Sequence, residues 1–324
     1  MWRSQNSPSG DFSFFRSRTN HRELWAARYL PVTRFRDRLT GQIVVEKVFG
    51  EKALNRFYRT AAGRLLMNTV LCRSLVSSIY GWMQRRPSSR RKIPAFIRSL
   101  GIDAAEAELA VDDYRSLDEF FIRRLKAGRR AIDPDPKHFV SPSDGRVLVY
   151  PSINGDSPLK IKGSHLSLAQ LLSDRQLARD YAGAAVVVVR LAPADYHRFH
   201  FPEHGIAYPC VPVSGRLHSV HPIALTSGAP SFRNKRVITR LETRAWGVLA
   251  LIEIGALSVG TIVQTYNPGP VRRGQEKGFF RFGGSTIVVL VPKERLQFDS
   301  DLIAASEEGM ETYIKMGTKL GQCP

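Results

Sequence analysis

After Asp133-Pro134-Asp135-Pro136 the chain is punctuated into apolar runs of strand length, and that rhythm limits the folds open to it more than any other feature. The runs are Arg146 to Tyr150, Ala185 to Leu191, Val248 to Ile254, Ser258 to Thr265, Phe279 to Phe282 and Thr286 to Pro292, with Gly and Pro frequent between them. Short strands without a βαβ rhythm pair antiparallel, because parallel neighbours need long crossover connections. The expectation is a mainly antiparallel sandwich or barrel-like core over residues 116–324. Ahead of it, residues 41–115 read as basic amphipathic helix and residues 1–40 as a disordered tail, so the chain as a whole is α+β. At the junction, Leu117-Asp118-Glu119-Phe120-Phe121-Ile122 begins a helix that Lys126-Ala127-Gly128-Arg129-Arg130 ends, with positive charge and Gly where a C-terminus favours them.

Within the β-rich part, Phe279-Phe280-Arg281-Phe282-Gly283-Gly284-Ser285-Thr286-Ile287-Val288-Val289-Leu290 alternates, breaks at two glycines and then runs apolar. The plain reading is a hairpin turning at the glycines. The sharper reading makes Ser285 a nucleophile aimed at the carbonyl of Gly284, since glycines let hydroxyl and backbone approach where a β-carbon would block them.

Charge is distributed unevenly. The chain has 48 Lys and Arg against 29 Asp and Glu, and its first hundred residues hold 20 of the basic and 5 of the acidic side chains. The excess therefore belongs to a module with its own anionic partner, a membrane or a nucleic acid. From Glu51 to Met83 the apolar positions Leu54, Phe57, Ala61, Leu65, Leu75, Ile79 and Trp82 recur at helical spacing, in two segments, and Arg85, Arg86, Arg90, Arg91 and Lys92 follow. Aromatic and aliphatic side chains share this segment with the charges and no nucleic-acid motif appears, which favours an anionic lipid surface. A solvated basic helix packed on its own core is the plainer alternative. Arg73 interrupts the longest uncharged runs, so neither approaches the roughly 20 apolar residues of a spanning helix. The first twenty residues, rich in Ser and Arg, weakly suggest a transit peptide, but no secretory signal is visible. Cys72, Cys210 and Cys323 form no pattern, which fits a reducing compartment rather than a disulfide framework.

Three clusters could carry chemistry. Ser141-Pro142-Ser143-Asp144-Gly145 stands at a strand entrance, where Asp144 is either a turn former or the group that orients a histidine. In Leu191-Ala192-Pro193-Ala194-Asp195-Tyr196-His197-Arg198-Phe199-His200, Asp195 is placed to cap a brief helical turn on which His197 and His200 share a face. With His218 and His221 these histidines number four, but no carboxylate or cysteine pair at a recognised spacing accompanies them, so no metal is expected. Gly274-Gln275-Glu276-Lys277-Gly278 lacks the Lys-Ser/Thr and following helix of a phosphate loop.

These clusters occur in a familiar order: Leu125-Lys126-Ala127-Gly128-Arg129, Ser141 to Gly145, Asp195-Tyr196-His197-Arg198-Phe199-His200, Gly255-Ala256 with Val259-Gly260, and Phe282-Gly283-Gly284-Ser285-Thr286. Over about residues 116 to 295 the chain resembles the phosphatidylserine decarboxylase proenzymes, a family of self-cleaving pyruvoyl enzymes. It departs from the family's common pattern at Lys235, often Glu, and at Ser143, often Ala.

The resemblance implies that Asp144, His200 and Ser285 form a charge relay for self-cleavage between Gly284 and Ser285. The products would be a beta chain, 1–284, and an alpha chain, 285–324, with Ser285 converted to a covalent pyruvoyl group. That carbonyl would condense with the amine of phosphatidylserine and accept the electrons released with CO2, leaving phosphatidylethanolamine. His197 would deliver the proton to the α-carbon, an ordinary imidazole titrating near about 6.5. The implied setting is the anionic phospholipid surface of the cytoplasmic face of a bacterial inner membrane, with a mitochondrial inner membrane as alternative. A homodimer is left open and no nucleic acid is implied. A serine hydrolase using the same three residues, a pyruvoyl decarboxylase of soluble amines and a non-catalytic membrane-binding protein are the rival readings.

Overall fold

The computed structural model describes residues 34–47, 60–66, 69, 74–153, 159–161, 164–218, 233–256, 261–283 and 285–324. The expectations for residues 1–33, for the start of the amphipathic segment, for His221 and for Gly284 lie outside the described residues.

Among the described residues, four α-helices precede the β-rich part: α1 (Ala61–Leu66), α2 (Ser74–Arg85), α3 (Ile93–Leu100) and α4 (Leu117–Phe121). The dominant element is an eleven-stranded sheet built on β1 (Arg34–Asp37), β2 (Ile43–Val45), β3 (Gly145–Tyr150), β4 (Ala185–Leu191), β6 (Arg236–Thr243), β7 (Gly247–Gly255), β10 (Ser285–Val291) and β11 (Glu311–Ile314). A three-stranded sheet of β5 (Arg198–His200), β8 (Ile262–Gln264) and β9 (Glu276–Phe280) accompanies it. The central order of the large sheet is β6-β7-β10-β4-β3-β11-β1-β2, an open path that is antiparallel throughout except where β1 meets β11. The expected antiparallel α+β architecture is therefore present, without closure into a barrel among the described residues.

The apolar runs are continuous rather than alternating because both faces of the sheet are covered. Ala185, Val187, Val189 and Leu191 of β4 join Ile287, Val289 and Val291 of β10 in one core with Phe199, Phe280 and Trp246. Val186, Val188, Val288 and Leu290 face the opposite way, onto Leu168, Leu171 and Tyr181. A third cluster gathers Ile93, Phe96 and Leu100 of α3 with Leu117, Phe120 and Phe121 of α4, and it includes Phe282.

Three expectations are corrected. Arg34–Asp37, assigned to the tail, is a strand paired in parallel with β11, so the described part of the N-terminal segment belongs to the sheet. The helix begun at Leu117 is capped by Ser116 as its sequence suggests but ends at Phe121 instead of running to Arg130. The backbone beyond it is taken by another segment: Glu108 N donates to Arg124 O at 2.9 Å and Lys126 N to Glu106 O at 2.9 Å. The hairpin at Gly283-Gly284 does not exist either. β9 pairs with β5 and β8, whereas β10 pairs with β7 and β4, so the two expected arms belong to different sheets.

A buried ion pair ties the two sheets. Lys277 of β9 donates to Glu253 of β7 at 2.8 Å and to Gln264 at 2.8 Å, and both charges are 1% exposed. Burial pushes Lys277 down and Glu253 up, and each opposes the other's shift. Lys277→Met should lower unfolding free energy by about 3–5 kcal/mol, the cost of leaving a buried charge alone. Adding Glu253→Leu should recover most of that loss in urea denaturation.

Candidate active site

Strand register gathers the sequence-predicted residues at one end of the large sheet. Ser285 opens β10, opposite Leu191 of β4 on one side and Gly255 of β7 on the other. It shares parity with Ile287 and Val289, so it faces the core that contains Phe199 and Phe280. Asp144 directly precedes β3. The glycine after it is required by contact rather than by a turn, because a β-carbon at Gly145 would stand 2.6 Å from Val189 Cγ1 and 2.8 Å from Arg190 O. His200 N donates to Pro142 O at 2.8 Å, and Phe280 N donates to His197 O at 3.0 Å, which ties both histidines to the same region.

The histidines do not share a face. His200 belongs to β5 and His197 precedes it in extended chain, so three residues of separation turn them opposite ways. His197 packs on Phe121 with centroids 4.0 Å apart, and His200 stacks on Tyr196 at 5.9 Å and 26°. Asp195 does not cap a helix. Its carboxylate accepts from Ala192 N at 2.7 Å and pairs with Arg146. On the His200 side an open cavity of about 420 Å³ is lined by Arg124, Leu125, Tyr196, Thr265, Gln275 and Glu276.

Four buried polar atoms here have no hydrogen-bond partner: Ser285 Oγ, His200 Nδ1, His197 Nε2 and Ser143 Oγ. Each such group costs on the order of 1–3 kcal/mol, so a cluster from the three sequence motifs marks a place held for chemistry. Asp144 is not among them. Its carboxylate accepts from Arg130 Nε at 2.8 Å, from Arg130 Nη2 at 2.6 Å and from Met316 N at 2.8 Å, and no hydrogen bond joins it to His200. Arg130 also reaches Glu106 at 3.0 Å and lies over Tyr196, 5.8 Å from the ring.

Burial lowers both imidazoles, His197 to about 3 and His200 to about 4. For His197 the hydrogen bond from Nδ1 to Asp195 O (2.9 Å) opposes burial, as does the backbone of Gly283, while Arg123 assists burial. A carbonyl only accepts, so Nδ1 carries the proton and Nε2 presents a lone pair. The expectation of an imidazole titrating near neutrality is thus corrected. His197 rests neutral and must gain a proton before it can donate one.

Sequence reasoning missed the groups that hold this arrangement. Arg146 and Arg190, opposite each other on β3 and β4, are matched by Glu46, Glu311 and Asp195 in a buried network that starts in the N-terminal segment. Buried Asn234 accepts from His218 N and donates to Gly255 O at 2.8 Å, fixing the strand end beside Ser285. Arg130 was visible only as a helix-ending charge. Among the described residues no group of three or more His, Cys, Asp or Glu is disposed to hold a metal ion.

Comparison with known proteins defines the class. The family model described as phosphatidylserine decarboxylase matches residues 117–322. The chain is 40% identical over 289 residues to the phosphatidylserine decarboxylase proenzyme of Ruminiclostridium cellulolyticum, covering 89% of this chain and 96% of that one. It is 42% identical over 288 residues to the proenzyme of Chlamydia felis (88% and 96%) and 40% over 287 residues to that of Fusobacterium nucleatum (88% and 96%). The protein is an enzyme of the decarboxylase class. It belongs to the phosphatidylserine decarboxylase family.

The depressed histidines make stability fall in acid. Unfolded imidazole titrates near about 6.5. Between that value and about 4 the unfolded chain binds more protons than the folded one, so acidification favours unfolding. The urea midpoint should drop steadily from pH 6.5 towards 4, and His200→Phe should flatten part of that slope.

Proposed function

We propose that this chain is a proenzyme that cuts itself between Gly284 and Ser285 and then decarboxylates phosphatidylserine to phosphatidylethanolamine and CO2. The observation that carries this reading is the fully buried Ser285, whose Oγ has no hydrogen-bond partner at the start of a central strand, while the buried imidazoles of His197 and His200 each leave a ring nitrogen without one. A serine kept merely for structure would find a partner.

In the cleavage step, neutral His200 takes the hydroxyl proton while Ser285 Oγ attacks the Gly284 carbonyl, converting the amide to an ester. Elimination breaks the Cβ–O bond and leaves the Gly284 carboxylate. The dehydroalanine left at 285 takes up water and releases ammonia, giving the pyruvoyl end. Asp144 acts on His200 through its charge in the state described and can bond to it only after release from Arg130. The severed alpha chain stays in place because β10 keeps its pairing with β4 and β7 from Ser285 to Val291.

The residues fit a pyruvoyl group at 285, since the position is dry, flanked by Gly255 and Leu191, and free of competing hydrogen bonds. That group supplies the electron sink for the pair released with CO2. Phe121 and Phe282, 4.8 Å apart, exclude water beside His197. His197 is the proton donor, and its low basicity makes the proton it carries readily transferred.

Substrate arrives from a lipid surface. Ile79, Trp82 and Met83 of α2 are about half exposed, Arg86 stacks on Trp82 at 4.0 Å, and Arg90, Arg91 and Lys92 follow. No helix among the described residues is long and apolar enough to cross a membrane. Attachment is peripheral, on the cytoplasmic face of a bacterial inner membrane, and the bacterial relatives favour that over a mitochondrial one.

Intact mass under denaturing conditions tests the central step. Wild type should separate after Gly284 and Ser285→Ala should remain whole; a wild type that stays one chain returns Ser285 to a hydrolase role. His197→Ala should still cleave yet lose about a hundredfold or more in decarboxylation. Trp82→Asp should weaken flotation with anionic vesicles, and binding unchanged by salt and by this substitution would rule out the α2 surface.

A further inference from the structure

Arg123 stands apart from the other buried arginines. Arg130, Arg146, Arg190 and Arg273 each face a carboxylate, and Arg236 spends its donors on carbonyls and Ser173. Arg123 is 5% exposed, forms no ion pair among the described residues, and leaves Nε and Nη1 without a hydrogen-bond partner. Only Nη2 is engaged, donating to Ala194 O at 3.1 Å and weakly to Asp195 O at 3.5 Å. The second of these carbonyls also holds His197 Nδ1, so the guanidinium lies one carbonyl away from the imidazole. Nearby carboxylates are already matched, Asp144 by Arg130 and Asp195 by Arg146. A guanidinium keeps its charge even when buried, and this one meets no carboxylate, only the face of Phe120 at 5.1 Å, so the corner carries a cation with two free donors, the geometry that grips an oxyanion.

We propose that Arg123 binds the phosphodiester of the phospholipid substrate, a reading that rests on the proposed function. The substrate offers two anions, and the chemistry chooses between them. A cation gripping the carboxylate would stabilise the ground state and lose its hold as CO2 leaves, raising the barrier. The phosphodiester keeps its charge throughout and lies only a few bonds from the reacting α-carbon, so holding it binds ground state and transition state alike without opposing the reaction. The aromatic surface of Phe121 on His197 then serves the departing carboxylate.

The test uses the full chain with Arg123→Gln and Arg123→Lys. Glycerophosphocholine, a phosphodiester without a carboxylate, is the probe, its binding read by phosphorus NMR line broadening, with free serine as the carboxylate competitor. Wild type should broaden the probe signal and Arg123→Gln should not, while serine should fail to compete. In both variants self-cleavage should go to completion and kcat should stay within a few-fold. KM for phosphatidylserine should rise about tenfold to a hundredfold, the effect of losing a charge-assisted hydrogen bond. Arg123→Lys, which keeps the charge without the fork, should fall between. No broadening with wild type, equal broadening with Arg123→Gln, displacement by serine, or loss of kcat at unchanged KM would each overturn the assignment. Should cleavage fail in both variants, probe binding still decides. Wild-type chain that binds the probe but never decarboxylates phosphatidylserine would sink the functional reading alone.

Discussion

The structure depends on β10 being hydrogen-bonded on both sides. Ser285 to Val291 lies between β4 and β7, with apolar cores on both faces, so this strand cannot move without unmaking the sheet. The consequence reaches the chemistry. Ser285, the first residue of this strand, is fixed in register, whereas β9 ahead of it belongs to another sheet. The change of sheet also bears on the sequence: Gly283 adopts φ 135°, a conformation that favours glycine.

Much of this was legible because it is local. The β4 run from Ala185 to Leu191 appeared with its bounds intact, and β3, β7 and β10 differed from expectation by a residue at either end. The start of α4 at Leu117 also matched. Sequence failed wherever partner choice decided the outcome. Phe279–Phe282 and Thr286–Pro292 look like the two arms of a hairpin, and nothing local says that each prefers a different sheet. The helix expected to reach Arg130 stopped early because its backbone met residues 106–108. For the site, strand register brings Asp144 and Ser285 to one end of the large sheet, and backbone hydrogen bonds tie His197 and His200 to Phe280 and Pro142. Their hydrogen bonding was not legible, since Arg130, distant in space from where a helical reading would put it, answers Asp144 directly.

The electrostatics follow from keeping this region dry. Arg146, Arg190, Glu46, Glu311 and Asp195 are all buried, and such a network is tolerable only because each charge finds an opposite one. Neutral histidines are the other half of the same arrangement: with arginines close by and water absent, an imidazolium is unfavourable, so His197 and His200 rest with lone pairs available.

The helical segment ahead of the sheet is joined to this site rather than tethered to it. Tyr80 of α2 packs on Phe282 at 5.9 Å, Phe96 of α3 at 5.8 Å and Phe121 of α4 at 4.8 Å, and Phe121 in turn covers His197. Phe282 precedes Ser285 by three residues, so the aromatic cluster grips the segment that leads into the nucleophile. One face of α2 is committed to this cluster through Tyr80, and the other presents Ile79, Trp82 and Met83 to the exterior. The exposed apolar side chains and the aromatic that packs on Phe282 thus belong to one helix. Aromatic packing transmits displacement because a dense interior deforms little, and a shift of α2 would therefore be felt at Phe282 before it was felt anywhere in the sheet.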